Sequence, residues 1–403
     1  MGCILPLAAN GRKCRGEAPV ERAFDVIIAG LGAMGSAAAY HLARRGARVL
    51  GLEAYTAAHD QGSSHGESRI IRQAYFEHPA YVPLVLRAYQ LWQELEAESG
   101  QSLLTITGGL AIGAPSSSLV TGCLKSARLH GLSHELLDAA DMKRRFPQFA
   151  LDDDEVAVYE SQAGYLRPEE CIRQHLRCAE QRGADLNFEE PILSWTSSAS
   201  RDSVRVVTHK QTYCAKSLVL TAGPWSTEII PGLTVPITVV RRVMFWFHPA
   251  LQPSDFDPGV FPIFLWEPER GPFFYGLPRV GPASYPKAAI HWGEEGDGDA
   301  CTPSTIDRTI HPRDESAIRS ALAQRIPALN GDIAHAAACM YTMTPDAHFV
   351  IDMHPHFPQV AIAGGFSGHG FKFSSAVGEI LSDLALTNRT SSDIALFSAS
   401  RFP

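Results

Sequence analysis

The stretch FDVIIAGLGAMGSAAAYHLARRGARVLGLEAY, residues 24–55, restricts the available folds more than any other part of the chain. Residues 26–29 form an unbroken apolar run, as in a strand buried on both faces of a parallel sheet. The turn Gly30-Leu31-Gly32-Ala33-Met34-Gly35 follows at once. A predicted helix then covers 36–45, and a second strand over 48–52 ends at Glu53. Gly30 allows the tight turn, Gly32 lets the backbone approach a pyrophosphate, and Gly35 lets helix and strand pack closely. Ala33 and Met34 lead into the helix, whose free N–H groups and positive dipole end favour an anion. Glu53 follows Gly35 by 18 positions, where a carboxylate can accept hydrogen bonds from a ribose diol and would repel a 2′-phosphate. The unit predicts a dinucleotide site on an α/β fold.

Two later segments read as strands of the same sheet. SLVLTAGPW (217–225) is an apolar strand running into Ala222-Gly223. QVAIAGGFSGHGFKFSSAVGEILSDLAL (359–386) is a strand, a glycine-rich turn and a helix with Val377, Ile380, Leu381 and Leu384 at helical spacing. A nicotinamide domain is usually contiguous, so a sheet gathered from the front, middle and end of the chain suits a larger cofactor enclosed by all of it.

With 403 residues the chain exceeds one ordinary core, and 45% apolar against 19% charged residues predicts a packed protein. Its net charge of -8 argues against a general nucleic-acid or anionic-membrane binder. No apolar run reaches the roughly 18 residues of a membrane-spanning helix. The cysteines at 3, 14, 123, 171, 178, 214, 301 and 339 form no CxxC pair and no zinc-like cluster, which suits a reduced, cytoplasmic protein without a metal. Residues 1–23 read as a flexible leader: Gly2-Cys3 begins like a lipidation signal, but Pro6 stands where Ser or Thr is required. The final Arg401-Phe402-Pro403 is not a peroxisomal tripeptide. Residues 81–100 predict a helix with a buried stripe of Leu84, Leu91, Trp92 and Leu95. LDDDE (151–155) reads as a solvated acidic loop.

The segment GSSHGESRIIRQAY (62–75) is unexpectedly basic for an acidic chain. A helix starting there would put His65, Ser68, Arg69 and Arg72 on one face. Together with TAGPW (221–225), CMYTMTPD (339–346) and GFSGHGFKF (365–373), this segment resembles the monomeric sarcosine oxidase family, from about Phe24 onward. That family comprises FAD-dependent oxidases of N-methyl amino acids and pipecolate.

The resemblance implies a two-domain flavoprotein. A Rossmann-type FAD domain of the D-amino-acid-oxidase type would comprise 24–105, 165–231 and 338–391. A mostly antiparallel substrate domain would comprise 106–164 and 232–337, with a tail over 392–403. It also implies a monomer that oxidises a secondary amine to an imine while O2 becomes hydrogen peroxide. Arg72 and Lys372 would hold the substrate carboxylate, matching it with charge-assisted hydrogen bonds. Arg69, with His65, would sit beside the flavin, and Cys339 would carry FAD through a thioether. Tyr341 would face the substrate. Lys287 would assist O2, and His291 shares its strand face, being an even number of residues away. Tyr75 and Tyr275 are candidate pocket aromatics, and Ser64, Ser68, Gly223, Gly368 and Gly370 candidate cofactor contacts. The competing readings are a fructosyl amino acid oxidase on the same scaffold, a nicotinamide-linked dehydrogenase, and a flavin-binding sensor.

Overall fold

The computed structural model describes residues 24–197, 203–230, 232, 235–292 and 299–402; the expected leader over 1–23 lies outside them. The site is positioned by strands β1 (Phe24–Ala29), β2 (Val49–Leu52), β3 (Arg69–Ile71), β4 (Thr212–Leu220) and β5 (Thr238–Phe247). To these are added β6 (Ile263–Glu267), β7 (Phe273–Leu277), β8 (Lys287–Trp292), β9 (Ile333–Met343) and β10 (Val360–Gly364). Three helices matter most: α1 (Ala33–Arg44), α2 (Tyr81–Ser99) and α3 (Ser374–Thr387).

The apolar run of β1 is buried on both faces because it lies between β2 and β4, parallel to each. β4 pairs in parallel with β10 through Leu218–Leu220, and its first half pairs antiparallel with Val204–Thr208. The front, middle and end of the chain thus meet in one eight-stranded sheet, as the sequence pattern implies. α1 and α3 pack against each other over this sheet, Ala37 and Ala38 lying against Gly378. α1 begins at Ala33, inside the glycine motif and three residues earlier than expected.

The second sheet has nine strands and one parallel pair, β6 with Gly109–Gly113, the remaining pairs being antiparallel. β5 is a long member next to one edge, paired from Thr238↔Met343 to Phe247↔Ile333 with β9 and across Met244↔Ala289 with β8. β9 crosses position 338, where the sequence reading put a domain boundary.

The helix that would put His65, Ser68, Arg69 and Arg72 on one face does not form. Gly66 and Glu67 both adopt positive φ (100° and 64°), and the Glu169 carboxylate accepts hydrogen bonds from both backbone N–H groups. The chain then extends as β3, paired with Gly164–Leu166. Ile71 packs into the main core, while Arg69, Ile70 and Arg72 line the cavity. The acidic loop also differs from expectation at its last residue. Glu155 is buried, accepts from Trp266 Nε1 at 2.9 Å and pairs with Arg325 at 3.0 Å. α2 matches its expected stripe, and Trp92 Nε1 donates to the Lys372 carbonyl at 3.0 Å, fixing the turn before α3.

Candidate active site

A cavity of about 520 Å³ lies between the two sheets. One end is framed by Gly30, Leu31, Gly32, Ala33 and Met34, with Glu53, Ser64, Gly223 and Trp225; the other contains Arg69, Arg72, Tyr275, His291, Tyr341 and Lys372.

The first end is built by the glycine turn. Gly35 does not line the cavity, yet a Cβ there would sit 1.8 Å from the Gly30 carbonyl oxygen, so only glycine allows the helix to start this close to β1. Glu53 is fixed by accepting from Leu31 N at 2.8 Å and Tyr55 N at 3.1 Å, and His59 Nε2 lies 3.3 Å away. α1 has no side-chain cap and no acid in its first turn, leaving its N–H groups and dipole to an anion. Ser63 Oγ, in the cavity wall, is buried without a hydrogen-bond partner, as are His65 Nε2, Ser68 Oγ and Ser374 Oγ behind it. An orphan in the wall calls for a polar ligand. These features fit FAD, whose pyrophosphate the N-terminus of α1 would hold.

At the other end, Arg72 does not stand alone. Its Nη2 lies 2.8 and 2.7 Å from the two Glu77 oxygens, and Nη1 donates to the Ala74 carbonyl at 3.0 Å. Burial would lower the Arg72 pKa, but Glu77 outweighs it and holds the guanidinium charged. Burial would likewise raise Glu77, and Arg72 reverses that. Lys372 Nζ donates to the His369 carbonyl at 2.7 Å; burial, reinforced by Arg72, brings its pKa down to about 7. Tyr75 lies beneath this cluster and outside the cavity wall, its hydroxyl 2.5 Å from His369 Nδ1 and its ring 4.1 Å from Arg72 Cζ. Its expected place as a pocket aromatic is therefore corrected: it is a fully buried support, because 72–77 folds back over α2 and the 369–373 turn.

Tyr275, His291 and Tyr341 meet on the opposite wall. His291 Nδ1 is 3.3 Å from the Tyr341 hydroxyl, and the Tyr275 and His291 rings cross edge-on with centroids 5.9 Å apart. Burial keeps His291 well below its ordinary pKa and Tyr341 well above its own, so both are neutral at pH 7. The Tyr341 ring fills the space beside Gly368, and Gly370 completes that turn. Cys339 is a buried thiol in the cavity wall, with Arg69 Nη2 3.9 Å from its sulfur. Burial raises its pKa and Arg69 opposes this.

Lys287, His65 and Ser68 lie behind the wall and do not line it. Lys287 Nζ donates to the carbonyls of Gly66 (2.8 Å) and Ser68 (2.6 Å), because β8 passes directly behind the 62–68 loop. Burial, then Arg69, depresses its pKa strongly. Burial, then Arg69, also lowers His65, to about 4. Several wall residues escaped the sequence reading, among them Glu77, His369 and Arg242. Glu77 was signalled only by an acid five positions after Arg72, and His369 sat inside a quoted motif. Arg242 was signalled by a charge in an otherwise apolar strand.

The family model described as FAD dependent oxidoreductase matches residues 25–384. The chain belongs to that family. Within it, a monomeric sarcosine oxidase from Streptomyces avermitilis is 49% identical over 380 residues, covering 94% of this chain and 97% of that protein. An N-methyl-L-tryptophan oxidase from Yersinia pestis is 35% identical over 379 residues, covering 94% and 99%. Both relationships span the whole FAD-dependent oxidoreductase unit, including both ends of the cavity. The solved structure of NikD, an amino acid oxidase essential for nikkomycin biosynthesis, superposes with a TM-score of 0.81 over 93% of this chain and 97% of that one. At 24% identity it speaks for the fold, as does Amadoriase I from Aspergillus fumigatus, with TM-score 0.76, 17% identity and 95% and 91% coverage. This FAD-dependent oxidoreductase therefore has the α/β fold that its sequence implied, a Rossmann-like parallel sheet joined to a mostly antiparallel one. Among the described residues no helix is long and apolar enough to cross a membrane, and no cluster could hold a metal ion.

Proposed function

We propose that this enzyme oxidises secondary amines that carry a carboxylate, such as N-methyl amino acids or cyclic imino acids, as a cytoplasmic monomer. The observation that carries the reading is the pair of buried basic residues, Arg72 and Lys372, lining the same cavity as Tyr341 and His291 on the opposite wall. FAD, when bound, accepts two electrons from the C–N bond and delivers them to O2. Arg72, already oriented by Glu77, presents its remaining N–H groups to the carboxylate, and Lys372 joins when protonated. The neighbouring cations disfavour a protonated amine, so the substrate is held in the neutral form that can lose a hydride equivalent. Tyr341 and His291 contribute neutral polar groups that orient the amine. The acceleration comes chiefly from positioning, since no strong base stands among these residues. In balance, the amine loses two electrons and two protons, O2 becomes hydrogen peroxide, and water hydrolyses the imine.

Cys339 is the proposed covalent anchor, and its neighbour Arg69 favours the thiolate that such a bond requires. Lys287 acts on O2 through the loop it holds, at a distance from the cavity. The test is direct. The purified protein should be yellow, its colour should stay with the acid precipitate, and the Cys339→Ala variant should release it. Peroxide should form with at least one of sarcosine, pipecolate, N-methyltryptophan or proline. A colourless protein, or one oxidising only fructosyl-glycine, would overturn the proposal.

A further inference from the structure

Three buried arginines near the second sheet show how this chain treats an interior guanidinium. Arg72 is paired with Glu77. Arg241, on the outer face of β5, bonds Asp314 through two nitrogens at 2.8 Å and donates to the carbonyls of Asp307 and Thr309. Arg242, the next residue, is 8% exposed and lines the cavity, yet its Nε and Nη2 are buried without any hydrogen-bond partner. Among the described residues no carboxylate pairs with it. An interior cation left in this state is strongly disfavoured unless a ligand completes it.

Its place in the sheet says what that ligand is near. Arg242 stands directly opposite Cys339 across β5–β9, so the two side chains share the cavity face. The register of β5 with β8 pairs Met244 with Ala289, and two residues further it brings Arg242 level with His291. Its Cζ lies 5.7 Å from the centre of the Tyr341 ring. Arg242 therefore flanks the His291–Tyr341 pair, and that pair faces the same cavity as Arg72 and Lys372. His291 lies within electrostatic reach of Arg242, Lys372 and Arg72 alike.

We infer that Arg242 forms a second anion subsite, so that the enzyme takes secondary amino acids carrying a second carboxylate. This rests on the amine-oxidase reading above. One carboxylate goes to Arg72 and Lys372, the amine lies by His291 and Tyr341, and the second carboxylate meets the planar fork of Arg242, which suits it better than an ammonium would.

The experiment uses the FAD-loaded enzyme and two thioethers, in which sulfur replaces the oxidisable nitrogen. Dissociation constants for (methylthio)acetate and 2,2′-thiodiacetate are read from the flavin absorbance under anaerobic conditions. In parallel, kcat/KM is compared for N-methyl-L-aspartate, N-methyl-L-glutamate and sarcosine. The inference expects the diacids to be preferred, and Arg242→Gln to reduce the diacid-to-monoacid ratio by about 10- to 100-fold. Arg242→Lys should restore part of it. Absence of any diacid preference in the parent enzyme overturns the inference while leaving the amine-oxidase reading intact. So does an Arg242→Gln variant whose flavin spectrum or retention changes with the ratio unaltered, since the guanidinium then serves the cofactor. An enzyme that oxidises no secondary amine removes both.

Discussion

Glu77→Gln tests the cationic cluster most sharply. The change keeps the shape of the side chain and removes one negative charge from the buried group formed by Arg72, Lys372 and His369. Arg72 then keeps its bond to the Ala74 carbonyl but loses the partner that holds it charged. Breaking a buried ion pair from one side costs about 3–5 kcal/mol. For the 403-residue chain, an unfolding entropy of about 2.1 cal/mol/K per residue gives roughly 0.85 kcal/mol/K, so the Tm should fall by about 4–6 °C. An anionic ligand supplies the missing charge. Saturating (methylthio)acetate should therefore raise the Tm of the variant by more than that of the parent and recover much of the loss. The assay is thermal unfolding of the flavin-loaded proteins with and without the thioether. An unchanged Tm in the variant, or a ligand-induced rise no greater than in the parent, would refute the reasoning that the substrate carboxylate and Glu77 share one guanidinium.

The Lys372 pKa of about 7 gives a pH signature. The protonated amine is the form that attracts a carboxylate, so binding of (methylthio)acetate, which has no titrating nitrogen, should weaken as pH rises through about 7. Lys372→Met should flatten that profile, and a parent enzyme with pH-independent affinity from 6 to 9 would count against the assignment. Gly35→Ala drives a Cβ into the Gly30 carbonyl and should yield a chain that retains little or no flavin; normal flavin content would show that the turn can relax. Lys287→Met should slow reoxidation of the reduced enzyme by O2 at least tenfold more than it slows anaerobic reduction, and the reverse pattern would assign Lys287 to loop support alone.

The cofactor half of the site was legible because it depends on local geometry. A buried strand, Gly30, Gly32 and Gly35 at fixed offsets, and Glu53 at the end of the next strand are short-range features that any chain must spell out in order. The positions of Arg72, Tyr341 and Lys372 in one cavity came through the resemblance of separated motifs, since no spacing rule links residues 72, 341 and 372. What failed was the orientation of single side chains. The helix read at 65–72 fits the charge spacing, but the Glu169 carboxylate, about a hundred residues away, captures the Gly66 and Glu67 N–H groups and commits the segment to a bend and a strand. Lys287 was expected near the flavin through the resemblance and Tyr75 as a candidate pocket aromatic, whereas β8 and the 72–77 turn bury them one layer behind the cavity. The charge in β5 was visible, but Arg242 could not be singled out from its neighbour Arg241: only the sheet distinguishes the one neutralised by Asp314 from the one facing the cavity.

The central claim is that this cavity binds a secondary amine by its carboxylate and holds it for oxidation. Anaerobic mixing of the flavin-loaded enzyme with sarcosine, and separately with dimethylamine, which is sarcosine without its carboxylate, tests that claim in one step. Rapid bleaching of the flavin by sarcosine, with dimethylamine at least a hundredfold slower, is the result expected. Equal rates for the two amines, or a flavin that neither sarcosine nor any other N-alkyl amino acid can bleach, would contradict it.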